Sequence, residues 1–512
     1  MSEQQRSAPS RSTPSLSPVS PEASPQPSAA PAPTQDAKPP AKPLRRARLS
    51  AVPKADEGSL FVSEAKVYPR SISGVFQRWR WVFAWLTQIV FYGLCWLPWN
   101  GRQAVLFDLD ARRFYVFDFV LWPQDTIYLA VLLVLSALAL FLFTTVAGRL
   151  WCGYTCPQTV YTELFLWVER KIEGDRSRRM KLDAAPWGVR KLGLKSAKHG
   201  VWLAVALWTG FTFVGYFTPI RELAAETLSF SLSGWETFWV LFYGGATYGM
   251  AGFMREQMCK YICPYAQFQF VMFDQDTLIV AYDEARGEPR GGRSKKVVAK
   301  EQGLGDCVDC SMCVQVCPTG IDIRNGLQLE CIGCGACIDA CDQVMDKMQY
   351  PRGLIRYSTE NALKHRSSRA TILRRALRPR VLIYSAVFLV ALTATAWSLA
   401  TRVPLKVDVQ RDRAALASEA DDGSIENAFR LQLINASESE RHYVVSVAGL
   451  DGIHLAEALT VSVQGASTAA ATIQVRVAPG AAGSGPHRIE FTVTDQADPA
   501  VTVTEDAKFW LP

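Results

Sequence analysis

The chain has 512 residues, enough for two or three domains, and 49% of them are hydrophobic, with 15 Trp and 25 Phe. That share argues against a chain solvated by water along its whole length. The net charge of +7 sits in particular connections between apolar runs, which makes it a mark of membrane orientation and not a nucleic-acid footprint.

Residues 1–55 read as a disordered tail, since the first fifty hold eleven of the 28 prolines among Ser and Ala, with few residues to build a core. Residues 56–275 contain four uncharged runs, Trp81–Gly101, Thr126–Gly148, His199–Ile220 and Thr237–Met254, and residues 366–405 contain a fifth, Val381–Thr401. Each has the roughly 18 residues or more needed to cross about 30 Å of hydrocarbon. The connection from Glu169 to Lys198 carries ten Lys and Arg, and that from Lys364 to Arg380 carries seven. Arg102 to Asp125 carries three and Arg221 to Glu236 one. The positive-inside rule therefore places the N-terminus, the second-to-third connection and residues 255–380 in the cytoplasm, and everything beyond Arg402 outside.

Two apolar runs are each followed by a similar pattern: "LWCGYTCPQT" from Leu150 to Thr159 and "MCKYICPYAQ" from Met258 to Gln267. Both hold Cys-x-Tyr-x-Cys-Pro, so the membrane part reads as two hairpins, each closing on a thiol pair. In a helix, thiols at i and i+4 share a face, and the following proline cannot continue the hydrogen-bond ladder. Cys152, Cys156, Cys259 and Cys263 would then converge on the cytoplasmic side. Four soft thiolates there suit Cu(I), an extra iron–sulfur cluster, or a disulfide cycle; plain packing is the bland reading. Cys95 reads as packing, Tyr154 and Tyr261 as interfacial anchors, Arg149 and Arg255 as side chains that snorkel to headgroups, and His199 as too solitary for a ligand.

Residues 276–365 carry the most specific signal. "CVDCSMCVQVCP" supplies Cys307, Cys310, Cys313 and Cys317, and "CIGCGACIDAC" supplies Cys331, Cys334, Cys337 and Cys341. This is the spacing of a dicluster ferredoxin, in which the fourth cysteine of each run ligates the other cluster. The expected sets are Cys307, Cys310, Cys313 and Cys341 for the first [4Fe–4S] cluster, and Cys331, Cys334, Cys337 and Cys317 for the second. Asp342 stands where the first run has Pro318, which should alter the chain exit more than the ligation. Cytoplasmic thiols disfavour disulfides, and zinc sites do not need three thiols in one loop. The sequence holds no haem-attachment motif, dinucleotide loop or phosphate loop.

Residues 406–512 alternate with period two in short stretches such as "FRLQLIN" at Phe429, "TIQVRV" at Thr472 and "RIEFTV" at Arg488. They predict an immunoglobulin-like β-sandwich with no disulfide. The fold class expected is thus a multi-span α-helical membrane protein with a cytoplasmic dicluster ferredoxin-like domain and a C-terminal all-β sandwich.

With "ARRFYVFDFVLWPQD", both Cys-x-Tyr-x-Cys-Pro motifs and "CPTGIDIRNGLQLECIGCGACIDACD", the chain resembles the CcoG family, also called FixG or RdxA. The resemblance implies a multi-pass protein of the bacterial inner membrane that supports assembly of a cbb-type haem-copper cytochrome oxidase as a cupric reductase. It implies two [4Fe–4S] clusters on the eight ferredoxin cysteines, copper at Cys152, Cys156, Cys259 and Cys263, and partners among copper chaperones or oxidase assembly factors. The residues alone reach only a soft metal and redox chemistry. An electron conduit from quinol or a cytoplasmic donor to a partner redox protein, and a scaffold with structural clusters, remain as other classes.

Overall fold

The computed structural model describes residues 66–295, 303–366, 369–412, 417–420 and 422–512, so the expected tail at 1–55 lies outside the described residues. All five apolar runs are helical, with shifted ends. The first is α1, Val75–Leu94, which starts earlier than expected, taking in Arg78 and Arg80, and stops sooner. Arg78 is exposed, whereas Arg80 needs a partner. Arg80 is buried against Glu163 at 3.1 Å, and the carboxylate of Asp339 accepts hydrogen bonds from the backbone N–H of Phe76 and Gln77 (3.3 and 2.8 Å). Those two amides are among the four that a helix N-terminus cannot satisfy internally, and here another domain satisfies them.

Between α1 and the next helix the chain forms a three-stranded antiparallel sheet that the period-based reading missed: β1 (Val105–Asp108), β2 (Arg113–Val116) and β3 (Phe119–Leu121), in that order. The strands are too short to show a clear alternation. Next come α2 (Thr126–Ala147), α3 (Leu150–Tyr154), α4 (Pro157–Ile172), α5 (Val189–Val214) and α6 (Gly234–Gly249), the last running into a π-helical turn at Met250–Met254. A second π-helical turn, Met258–Ile262, precedes α7 (Pro264–Met272).

The ferredoxin part pairs β4 (Ile279–Tyr282) antiparallel to β5 (Ile355–Ser358), with Val280 opposite Tyr357, and contains α8 (Ala336–Met348). Its core of Val280, Ile323, Ile338, Met345, Leu354 and Ile355 surrounds the cysteines. Then follows α9 (Pro379–Ala400), packed along α2. The helix containing α2 (Pro123–Ala147) and α9 are the two among the described residues that are long and apolar enough to cross a membrane, with mean hydropathies of 2.7 and 1.8. The other three runs fall short for physical reasons. α1 and α5 begin with basic turns, and α6 has only 16 helical residues before its hydrogen bonding changes register.

The C-terminal part is the expected two-sheet sandwich. Its strands are β6 (Leu405–Arg411), β7 (Ile425–Asn435), β8 (Arg441–Ala448), β9 (Thr460–Val463), β10 (Thr468–Val477), β11 (Gly485–Asp495) and β12 (Thr502–Leu511). One sheet orders β10-β7-β6, with the short piece His454–Leu455 beside β10; the other orders β9-β8-β11-β12, all antiparallel. Alternate residues point inward as the pleat demands. Phe429, Leu431 and Leu433 of β7 meet Ile489, Phe491 and Val493 of β11, and the Phe429 and Phe491 rings meet edge-on at 5.1 Å.

The sandwich is fixed to the helical part by Asp125, a buried carboxylate just before α2. It receives Arg402 at 2.6 Å and also the Lys406 ammonium, while Val120 and Trp122 pack on Ile434 and Ala436. Removing one partner of a buried ion pair leaves the others uncompensated. Asp125→Asn should therefore destabilise this junction by about 3–5 kcal/mol. Limited proteolysis in detergent is expected to cut near Thr401 and release the sandwich faster than from the parent.

Candidate metal centre

The eight ferredoxin cysteines line two adjoining small cavities. Cys307, Cys310, Cys313 and Cys341 line one, with Tyr282, Arg324 and Met345. Cys317 lines the other with Cys331, Cys334 and Cys337, and Cys313 touches both. The fourth cysteine of each run has thus crossed to the other run's cavity. Among the described residues no three His, Cys, Asp or Glu side chains converge closely enough to hold a lone metal ion. Thiols spaced round an apolar cavity fit a polynuclear cluster better than a single zinc. Burial pushes the Cys313 thiol up to about 11 and Cys341 up to about 12, so each would lose its proton only to a metal. Asp342 continues α8 where Pro318 ends the first run, and its Oδ1 accepts the Gly353 N–H at 2.9 Å.

The four remaining cysteines of interest lie within electrostatic reach of one another, but not on continuous helix faces, and among the described residues no three of them converge as closely as a lone metal ion needs. Cys152 lies in α3 and Cys156 caps α4, with Pro157 at the first helical position; Cys259 lies in the π-helical turn and Cys263 caps α7, with Pro264 likewise. This corrects the i, i+4 expectation. The prolines start new helices instead of ending old ones, because a missing N–H costs nothing in a first turn. Burial, followed by the neighbouring Cys156, Cys152 and Cys263, pushes Cys259 up to about 12. Cys152 is pushed up to about 11, again mainly by burial.

Two polar groups face these thiols without a hydrogen-bond partner for every donor. Gln269 is fully buried, takes the Cys152 thiol on Oε1 at 3.4 Å and leaves its Nε2 unpartnered. Arg149 is 6% exposed, donates to the carbonyls of Leu329 and Ala266, and leaves its Nε unpartnered. Buried donors without acceptors are costly. Both suit an anionic sulfur-ligated centre, which would supply the missing acceptor.

The thiol pairs abut the second cavity. Cys152 packs in one cluster with Cys334, Ile332, Val316 and Ala336. A Cβ on Gly153 would stand 2.8 Å from the Cys334 Cα and 2.9 Å from the Ile332 carbonyl oxygen, so the two backbones touch directly. Tyr154 is buried with its hydroxyl 3.4 Å from that of Tyr357, whereas Tyr261 is 69% exposed. The snorkelling expected of the arginines is overturned, because Arg149 and Arg255 are both buried and Arg255 pairs with Glu169 at 2.9 Å. Cys95 packs with Val214, Ile220 and Leu223, and His199 Nδ1 lies 2.9 Å from the Tyr248 hydroxyl. Gln269, Glu163, Asp339 and the role of Arg149 escaped the sequence reading. The second of two amides in the aromatic run "YAQFQF" was the available signal for Gln269.

Three family descriptions match the chain: "4Fe-4S binding domain" over residues 129–174, "4Fe-4S dicluster domain" over 254–360, and the IG-like fold at the C-terminus of FixG over 395–512. Over 463 residues the chain is 40% identical to protein RdxA of Cereibacter sphaeroides, covering 88% of this chain and 94% of that one. It is 38% identical to nitrogen fixation protein FixG of Rhizobium meliloti over 77% of this chain and 81% of that one. The chain belongs to the FixG/RdxA family. Protein RdxB of Cereibacter sphaeroides is a further relative, at 41% identity over 77% of this chain and 84% of its own length. This FixG/RdxA member is therefore an iron–sulfur protein of oxidoreductase type, with 4Fe–4S domains and an immunoglobulin-like C-terminal domain.

The Gly153 contact can be tested by a single methyl group. Gly153→Ala should force α3 off the Cys331–Cys334 loop, at an overpacking cost of about 1–3 kcal/mol, with iron and sulfide content falling. Gly93→Ala, where an added Cβ meets nothing within 4 Å, should leave both unchanged.

Proposed function

We propose that this chain is a membrane-bound oxidoreductase that passes single electrons through two [4Fe–4S] clusters to Cu(II), held as substrate at Cys152, Cys156, Cys259 and Cys263. The observation that carries the reading is the contact of Cys152 and Gly153 with the Cys331–Cys334 loop. It sets the backbone next to Cys152 directly against the loop that lines one cluster cavity. Cys307, Cys310, Cys313 and Cys341 hold the first cluster in this reading, and Cys331, Cys334, Cys337 and Cys317 the second. Soft thiolates favour Cu(I) over Cu(II), so Cys152, Cys156, Cys259 and Cys263 draw the equilibrium toward the product. Held by the eight ferredoxin cysteines, the clusters would supply single electrons, one for each Cu(II) reduced to Cu(I).

Copper itself enters through the family resemblance, as do the inner-membrane location, support of cbb-type oxidase assembly, and copper chaperones or assembly factors as recipients. The five-span arrangement, with clusters and thiols on the cytoplasmic side and the sandwich outside, rests on the charge distribution of the connections.

A second reading has a specific observation behind it. The stretch 129–174, which includes Cys152 and Cys156, matches a "4Fe-4S binding domain". In that reading the four thiols hold a third cluster, and the chain conducts electrons to a partner redox protein without copper as substrate.

Changing Cys152 and Cys156 together to Ser separates the two. Serine is a harder and far less acidic donor, so formation of a coloured Cu(I)–chelator complex by the pre-reduced protein should fall at least tenfold, while iron and sulfide stay near the parent's values. Loss of a third of the iron would establish the third cluster instead. The crossed ligation has its own check. Cys317→Ser should perturb the EPR signal of the cluster built on the second run and spare the first; the reverse pattern would show that the runs do not cross.

A further inference from the structure

Arg149 stands three residues ahead of one thiol pair and Arg255 four ahead of the other, and their surroundings differ. Arg255 is neutralised by Glu169 at 2.9 Å. Arg80, which also approaches the second cavity, is neutralised by Glu163 at 3.1 Å. Arg149 is as buried as either, but among the described residues no carboxylate lies within ion-pair distance; its guanidinium meets two backbone carbonyls and keeps a spare N–H. One carbonyl, Leu329, leads into the cysteine loop of the second cavity, and the other, Ala266, lies on α7 just past Cys263. The loop also closes on the arginine's own backbone, for a Cβ on Gly333 would stand 3.2 Å from the Arg149 carbonyl. A buried, uncompensated cation is expensive unless an anion completes it. The anions available on both sides are sulfur-ligated centres.

We propose that Arg149 is the shared countercharge of the four-cysteine site and of the cluster at Cys317, Cys331, Cys334 and Cys337, and that this cluster is the immediate electron source for the four cysteines. The inference rests on the proposed electron path but not on copper being its end. A fixed positive charge stabilises the more negative, reduced form of a centre beside it. Arg149 therefore raises the potential of the second cluster and leaves that of the first unaffected. The step is the transfer of one electron: the second cluster goes from its reduced to its oxidised state as Cu(II) goes to Cu(I), and no bond or proton is exchanged.

The test is an anaerobic, EPR-monitored redox titration of the full-length protein in detergent. Arg149→Gln should lower the midpoint of the second cluster by about tenfold in its reduction equilibrium, or about 59 mV for a one-electron couple, with the first cluster unmoved. Arg149→Lys, which keeps the charge, should restore most of the shift. Arg255→Gln should leave the second cluster in place, since Glu169 retains Arg179 and Lys198. If Arg149→Gln loses iron, Gln269→Glu sets an anion beside Cys152 and must produce the same downward shift. An unmoved second cluster, an equal shift in both clusters, or an equal shift in Arg255→Gln overturns the countercharge. Freeze-quenching the reduced parent with Cu(II) tests the order: the second cluster's signal should vanish first, and prior loss of the first cluster's signal overturns the assignment. A parent that forms no Cu(I) would refute copper as substrate, while the titration would still decide the role of Arg149.

Discussion

Two backbones meet at Gly153 and Cys334 with no side chain between them, and the organisation of the helical part serves that contact. A turn of five residues, α3, has little stability of its own, since short helices are marginal without tertiary support. It must be held from both sides. On one side α1 is anchored to the ferredoxin helix by Asp339 and to α4 by the Arg80–Glu163 pair; on the other, Pro157 starts α4 at once. The distance between thiols and cluster cavity is thus set by covalent neighbours and buried polar contacts rather than by a flexible linker.

The helix α4 carries much of the buried charge. Glu163 receives Arg80 and Arg170, and Glu169 receives Arg179, Arg255 and Lys198. Burial by itself would push both carboxyls up, yet the surrounding cations hold them below the ordinary carboxylate range. Such pairs add little net stability compared with apolar packing, but losing one member costs several kcal/mol. Their value lies in register: Glu163 accepts Arg80 from α1 and Glu169 accepts Lys198 from α5, so a sliding helix would leave charges unmatched.

What the chain revealed unaided follows from how local each signal is. The eight ferredoxin cysteines lie in two short runs, and the strands of the sandwich announce themselves by alternation within a few residues. The kinked geometry at Cys156 and Cys263 was harder to see, because a helix and a helix restart share the same spacing of thiols. The buried arginines were misread for a related reason. Arg255 finds Glu169 across 86 positions, and Gln77 finds Asp339 across 262; nothing near either residue in the chain discloses the partner. The small sheet β1–β3 has strands of three or four residues, below the length at which periodicity separates a strand from a loop.

Only a few residues separate the end of α9 at Ala400 from the start of β6 at Leu405, and Arg402, in the middle of that stretch, is clamped with Lys406 on Asp125. The sandwich consequently has no slack in its tether. It behaves as a rigid head on the α2–α9 pair rather than as a weight on a string, so any force applied to it would be transmitted as torque to the helix that ends only a few residues from the thiols.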